Sequence, residues 1–189
     1  MKSIYLFIMA VLVLGTACTD FVEPKIPYKD FDHGTYLRTI SRTSTEFNFN
    51  DLENSNFALT LEAVDDQDGR RVSTLEVRVR LFRVTDTGVV TIPAQGDELV
   101  LSLGESDFAP NSESRFLRTQ FSIPATDAIS ALGLTPADIQ EDDFFDFRLV
   151  LTTKEGRVFT DSNASADIRG GFFYSSPFLY RVQAAVPGE

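Results

Sequence analysis

The chain has 189 residues with 28 acidic and 17 basic side chains, which gives a formal net charge of −11. A surface this acidic repels nucleic-acid phosphates and anionic lipid headgroups, so the composition argues against nucleic-acid binding. The hydrophobic fraction of 43% is enough for one packed core, and the single cysteine excludes a disulfide within the chain.

The first segment has the pattern of a secretory signal. Lys2 supplies a positive charge, residues 4–14 form an uncharged apolar run, and small residues at 15–17 precede Cys18. The run is shorter than the ~20 residues that a transmembrane helix needs. This arrangement resembles the lipobox of bacterial lipoproteins, although Gly15 stands where leucine is usual. The resemblance implies that Cys18 receives a diacylglyceryl group and a further acyl chain such as palmitate.

Residues 1–17 are therefore expected to be a lipoprotein signal peptide. The alternative is ordinary cleavage near Ala17, which leaves a free thiol. A catalytic thiol is disfavoured because a nucleophilic cysteine needs a base beside it, and the one histidine, His33, has no motif around it. Residues 18–33 contain two prolines and no regular period. We predict a lipid-anchored flexible tether there, or a segment whose aromatic residues dock on the domain edge.

Residues 34–187 are predicted to form one β-rich domain. Apolar and polar residues alternate in five segments, as expected for strands with one buried face. These segments are residues 57–63, 75–81, 117–123, 145–151 and 178–184. Weaker strands are expected at residues 36–40, 46–49, 89–92, 98–103 and 157–160. The spacing predicts an all-β fold, a single immunoglobulin-like antiparallel β-sandwich.

Turn and helix signals complete this domain. Residues 86–88 and 154–156 carry turn chemistry, and the second turn is expected to close a hairpin. One segment, residues 124–133, has helical spacing and places Ile129 and Leu132 on one face. Thr135 then resembles an N-cap. We expect one short helical crossover between the two sheets.

The acidic loop with Asp65, Asp66 and Asp68 is a weak candidate for a calcium site, since calcium prefers carboxylate oxygens. It does not fit an EF-hand, because Val64 and Leu75 occupy ligand positions. A solvated hairpin turn is the favoured interpretation. A second acidic stretch, residues 141–143, completes such a site only if the fold brings the two together.

The aromatic run Phe172, Phe173 and Tyr174 follows a glycine pair and is the candidate ligand-binding segment, since aromatic faces stack on sugar rings. Burial of these rings at the end of the sandwich is the favoured alternative, and the absence of tryptophan argues against a dedicated carbohydrate platform. Outward arginines on predicted strands form either a basic stripe or a solvated sheet face. They are Arg78, Arg80, Arg118, Arg148 and Arg181.

The sequence does not support catalysis. Its carboxylates form no recognisable acid and base pair, and no serine, cysteine or lysine stands in a nucleophile motif. His33 lacks a second histidine for zinc. We expect a protein that is not an enzyme, with no cofactor beyond the lipid on Cys18 and, as the weak candidate, calcium.

Several phrases together resemble a known group of proteins. They are GTYLRTI at residues 34–40, NFALTLEAVDDQDG at 56–69, STLEVRVRLF at 73–82, FFDFRLVLTTKEGRVFTDSNAS at 144–165 and GGFFYSSPFLYRV at 170–182. The group is small immunoglobulin-like outer-membrane lipoproteins associated with Sus-type (starch-utilisation-like) TonB-dependent glycan-uptake loci.

The resemblance implies a non-catalytic, lipid-anchored accessory protein of a polymer uptake system that acts mainly through protein–protein contact. Expected partners are the membrane through the lipid, a TonB-dependent transporter with its lipoprotein lid, and a polysaccharide. The expected location is the outer membrane at the cell surface, with the periplasmic face left open. The alternatives are a surface glycan-binding module that uses phenylalanine and tyrosine stacking, and a calcium-stabilised adhesion or spacer domain.

Overall fold

The computed structural model describes residues 34–93, 97–171 and 176–187. Within these ranges ten strands form two sheets. The strands are β1 (Tyr36–Arg42), β2 (Glu46–Asn48), β3 (Asn56–Val64), β4 (Val72–Thr85), β5 (Gly88–Ile92), β6 (Glu98–Gly104), β7 (Arg118–Pro124), β8 (Phe144–Thr153), β9 (Val158–Phe159) and β10 (Leu179–Ala185). The helices are α1 (Ala125–Ala131) and α2 (Ala166–Gly170), with short 3-10 helices at Phe49–Asn54, Glu105–Asp107 and Pro136–Asp138.

The smaller sheet has the order β1-β3-β7, and both of its strand pairs are antiparallel. The odd-numbered residues of β3 point into the core, and Phe57, Leu59 and Leu61 are each at most 1% exposed. This parity is the one that the alternation in residues 57–63 predicts.

The larger sheet has the order β2-β10-β8-β4-β5, with β6 also paired to β4 and β9 to β8. Its pairs are antiparallel except for β10 with β2, which run parallel. The sheet is therefore mixed, whereas the sequence predicts a purely antiparallel arrangement. A strand of three residues such as β2 carries too little pattern to reveal its direction.

The core between the sheets is built on aromatic rings. Phe57 of the smaller sheet stacks on Phe147 of the larger one, with ring centroids 4.4 Å apart. Phe47 meets the edges of Phe145 at 5.4 Å and Phe147 at 6.2 Å. All four side chains are fully buried. Because both sheets bury their inner faces on one core, the prediction of an all-β sandwich is confirmed.

The predicted helical crossover is also confirmed. Helix α1 follows β7 of the smaller sheet and precedes β8 of the larger one, and it buries Ala128 and Ile129. The following 3-10 helix is capped at Thr135, whose backbone N–H and hydroxyl donate to Asp138 Oδ2 at 2.8 Å and 2.6 Å.

The acidic loop after β3 differs from the prediction. A solvated hairpin turn is wrong there, because β3 and β4 belong to different sheets. Asp65 is only 7% exposed, and its Oδ1 accepts the backbone N–H groups of Gln67 and Gly69, both at 2.8 Å. Gly69 has φ +92°, and a Cβ there would lie 2.7 Å from the carbonyl oxygen of Ala63. The loop is thus a folded crossover between sheets.

The predicted signal peptide at 1–17 and tether at 18–33 lie outside the described residues, so these boundaries stay predictions. No helix in the part of the chain that the structure describes is long and apolar enough to cross a membrane.

Candidate functional site

The outer face of the larger sheet carries a connected group of charged and aromatic side chains. Strand register places them in three adjacent rows. One row is Leu179, Arg148, Arg78 and Leu99, the next is Arg181, Asp146 and Arg80, and the third contains Phe144 and Phe82. We call these residues, together with Asp97, the arginine face. Period-2 alternation places the residues of β4, β8 and β10 in this set on the side of the sheet away from the core, and a register shift in β6 places Leu99 beside them opposite Arg78.

Asp97 is the centre of this surface. Its carboxylate accepts from Nε of Arg80 at 3.1 Å, Nε of Arg78 at 3.2 Å and Nε of Arg148 at 3.2 Å. Arg78 also donates to the Asp97 carbonyl at 2.8 Å and to Glu76 at 3.0 Å. Burial opposes ionisation of Asp97, but Arg148 and Arg80 outweigh it and hold the pKa of that carboxyl below its ordinary value. The arginines are thereby fixed in position.

The second element of the surface is an arginine on an aromatic ring. Arg181 binds Asp146 in a bidentate pair at 2.8 Å and 2.9 Å, and its guanidinium lies 4.0 Å from the centroid of the Phe144 ring. Phe144 stacks on Phe82 with centroids 5.3 Å apart. The Asp146 bond raises the pKa of Arg181. The result is a rigid layer of arginine over phenylalanine.

This arrangement suits contact with another protein better than capture of a free anion. Four arginines face three carboxylates, those of Glu76, Asp97 and Asp146, so most of the positive charge is already paired. Arg181 nevertheless has 59% of its side chain exposed, and Leu99 and Leu179 are 46% and 37% exposed at opposite sides. Flat surfaces with arginine, aromatic and aliphatic side chains are typical of protein interfaces.

Of the five arginines with outward parity, four lie together on the outer face of the larger sheet, and Arg118 does not. Arg118 lies on the smaller sheet, where it donates to Glu62 at 3.0 Å, and Arg38 also binds that carboxylate. Glu62 is fully buried although it occupies an outward position of β3. Burial opposes its ionisation, but hydrogen bonds from Arg38, Ser114 and Arg118 prevail and hold the pKa of Glu62 below its ordinary value.

The acidic residues proposed for calcium are each engaged within the chain. Asp65 accepts backbone N–H groups, Asp66 binds Arg71 at 2.5 Å, and Asp68 lies 3.2 Å from Arg115. No group of three or more His, Cys, Asp or Glu side chains with metal-binding geometry occurs among the described residues.

The second acidic stretch does not join the first. Residues 141–143 precede β8. The first acidic loop lies at the other end of that strand, because Arg71, which binds Asp66, contacts Glu155 just after β8 ends. The Arg71 carbonyl also accepts the backbone N–H of Lys154 there. A strand of this length separates its two ends by about 30 Å.

The aromatic candidates Phe172, Phe173 and Tyr174 lie outside the described residues, as does Cys18. Their roles in ligand binding and lipid attachment stay predictions.

A pocket of about 300 Å³ lies where β1 begins, beside the segment that connects β9 to α2. Its lining includes the aromatic residues Tyr36, Phe159 and Phe178 and the neutral polar residues Asn163 and Ser165. This pocket is not predicted from the sequence, because its residues are far apart in the chain and share no motif. The one local signal was the cluster of small polar residues at 160–165, which is typical of a loop.

Comparison with known proteins gives no further assignment: no protein-family model matches the sequence, and no curated protein is found as a relative.

Proposed function

We propose that this protein is a lipid-anchored, non-catalytic accessory protein of an outer-membrane polymer uptake system, and that it acts through protein–protein contact on the arginine face. The proposed location is the cell surface, and the proposed partners are a TonB-dependent transporter and its lipoprotein lid. The immunoglobulin-like character of the sandwich is part of the same proposal.

The observation that carries the contact role is the order of the arginine face. Asp97 and Asp146 hold their arginines in fixed geometry, so a partner does not have to immobilise four long side chains itself. Exposed Leu99 and Leu179 add apolar area at opposite sides of the same face. Preorganised arginine and aromatic side chains are the groups that carry most binding energy at interfaces.

A non-catalytic role is supported by what the described residues offer chemically. They include no histidine and no cysteine, and the buried carboxylates of Glu62, Asp143 and Asp146 are engaged with arginines. These carboxylates have structural partners that oppose a proton-transfer role.

The lipid anchor is supported by the sequence around Cys18. Mass spectrometry of the mature N-terminus is expected to show a chain that begins at Cys18 and carries acyl groups. The matched variant Cys18→Ser is expected to lose the acyl mass and to leave the membrane fraction. An unmodified thiol in the wild-type protein would contradict the anchor.

The contact role is tested by purifying the tagged chain from detergent-solubilised membranes. We expect a transporter and a lid lipoprotein to be recovered with the wild-type chain and to be lost from the double variant Arg80→Ala, Arg181→Ala. The control is Arg70→Ala, which removes an exposed arginine that lies in the loop after β3. Recovery of the wild-type protein alone, or equal recovery of partners with all three chains, would refute the role of this face.

A second candidate function, glycan binding, is favoured by the pocket beside β1. Its volume of about 300 Å³ is at the lower end for ligand sites. Aromatic rings with neutral hydrogen-bonding groups are suited to one sugar unit. Affinity electrophoresis in soluble polysaccharides tests this idea, with Asn163→Ala as the variant and Asn54→Ala as the control. Unretarded migration of the wild-type chain would contradict it.

A further inference from the structure

The hairpin of β4 and β5 extends beyond the rest of the larger sheet. Pairing of β4 with β8 ends at Phe82, which lies opposite Phe144, whereas β4 continues to Thr85 and pairs with β5. Residues 83–90 therefore form a two-stranded ribbon with no third described strand. We call this segment the valine arm.

The valine arm is fixed at both of its ends. At the base, Arg83 donates to Asp143 at 2.7 Å and 2.6 Å and to the carbonyl of Asp138 at 2.9 Å. At the tip, the Thr85 hydroxyl donates to the Gly88 carbonyl at 2.7 Å. A two-stranded ribbon is marginally stable by itself, so these contacts are needed to hold it in shape.

Apolar side chains of the arm face solvent. Val84 is 65% exposed and Val89 is 59% exposed, the two highest values among the exposed large hydrophobic residues of the described ranges, and they lie opposite each other across the hairpin. Val90 is a further 40% exposed. Val84 and Val89 form an apolar patch on one face of the arm, of the kind that marks an interaction site, and Val90 lies on the other face.

The outer edge of β5 has no partner among the described strands, since β5 ends the order of the larger sheet. In an antiparallel pair every second residue points its N–H and C=O away from the neighbouring strand. Natural proteins usually protect such an edge with charges or proline. Residues 88–92, however, contain neither a charged residue nor a proline.

The charges around the arm indicate what can pair with this edge. Exposed carboxylates lie in its turn and in the segment that contacts Arg83, and none forms an ion pair with a lysine or arginine of the described residues. They are Asp86, Asp138, Glu141 and Asp142. A second copy of this chain brings the same negative charges and is repelled, whereas a strand with basic flanks is attracted.

From these observations we propose that the free edge of β5 binds an extended, β-branched strand of another protein whose flanking residues are lysine or arginine. The incoming strand extends the larger sheet by backbone hydrogen bonds, and its apolar side chains pack beside Val89, which continues the patch to Val84. This edge adjoins the arginine face at Phe82, which pairs with Thr91, but the exposed carboxylates around it give it the opposite charge character.

A direct test titrates the full chain in detergent with a short synthetic peptide of alternating valine and threonine flanked by lysines. We expect saturable binding with NMR shifts on the amides of residues 83–92. A peptide with glutamate in place of lysine is expected to bind about tenfold more weakly, because the carboxylates around the arm repel it.

Variants locate the binding to the edge. Thr91→Pro is expected to weaken the lysine-flanked peptide about tenfold or more, because proline removes a backbone donor and blocks strand pairing. If this variant does not fold, Val89→Ser is used, for which about threefold weaker binding is expected from the lost apolar contact. The control is Val158→Ser, an exposed valine of β9 at the same sheet but outside the arm.

Three results would overturn the proposal. They are no binding of the lysine-flanked peptide, binding that folded Thr91→Pro leaves unchanged, and a dimer in sedimentation that Thr91→Pro dissociates, which assigns the edge to a second copy. The double variant Arg80→Ala, Arg181→Ala is expected to bind the peptide normally, so failure of this proposal and failure of the arginine face are separate outcomes.

Discussion

Replacement of Glu62 by glutamine tests whether the buried carboxylate on the smaller sheet stabilises the fold. Glu62 is fully buried, and both Arg38 and Arg118 bind it. Removing one partner of a buried ion pair costs about 3–5 kcal/mol, because the remaining charge is left uncompensated. Arg118 keeps Glu113 at 2.6 Å, whereas Arg38 has no other ion pair among the described residues.

Only Arg38 is then left without an ion-pair partner among the described residues, because Arg118 keeps Glu113. We therefore expect Glu62→Gln to lower the free energy of unfolding by an amount at the low end of that range, about 3 kcal/mol. For a domain of this size the corresponding fall in Tm is about 6–12 °C. Urea and thermal unfolding at neutral pH measure both quantities. The matched control is Glu98→Gln, an exposed glutamate on β6, whose change is expected to stay within about 0.5 kcal/mol.

The dependence on pH supplies a second check. The pKa of Glu62 is lower in the folded chain than its ordinary value, so the folded state favours the ionised form. The stabilisation is complete above about pH 4.3 and is lost as the pH falls through the lowered pKa. The gap between wild type and Glu62→Gln is thus expected to shrink at acid pH. A loss below about 1 kcal/mol at neutral pH, or a gap that does not change with pH, would refute the reasoning.

Four further outcomes follow from contacts already described. Asp97→Asn removes the carboxylate that three arginines share, and chemical unfolding is expected to show a loss of about 2 kcal/mol; no loss would mean that the arginines hold their positions without it. Phe147→Ala empties the centre of the core and is expected to cost about 3–5 kcal/mol in the same assay, against under 1 for an exposed substitution. Burial raises the pKa of Tyr180 to about 12, so the folded state retains its proton and stability is expected to fall as the pH rises from 10 to 12; Tyr180→Phe should abolish that alkaline loss. EDTA is expected to leave Tm unchanged, because the Asp65 carboxylate is already bound by backbone N–H groups; a lower Tm would support the calcium hypothesis.

The fold could be predicted from the sequence where the pattern is long and regular. Alternation over residues 75–81 and 145–151 requires one buried face, and the structure places both segments in adjacent strands of one sheet. The pattern failed at β2, whose three residues join β10 in parallel. It also could not assign β3 and β4 to different sheets, because alternation reports which face is buried and not which strand is the neighbour.

The candidate surface was only partly predictable for the same reason. Alternation identified Arg78, Arg80, Arg148 and Arg181 as outward, but the position of Asp97 among them depends on the register of β6 against β4. Arg118 has the same outward parity and lies on the other sheet. Glu62 is buried and also hydrogen-bonds to Ser114, which lies before β7, and a period of two residues cannot reveal such a contact.

The position of β10 has a consequence for how the chain reaches its native state. This strand, residues 179–185, inserts between β2 and β8 in the larger sheet. Residues more than a hundred positions apart must therefore meet before β2 has any strand partner, and such non-local pairing makes folding slow. The larger sheet is therefore incomplete at its β2 edge in any folding intermediate that lacks β10. Its closure waits until residues 179–185 have been made and have entered the gap between β2 and β8.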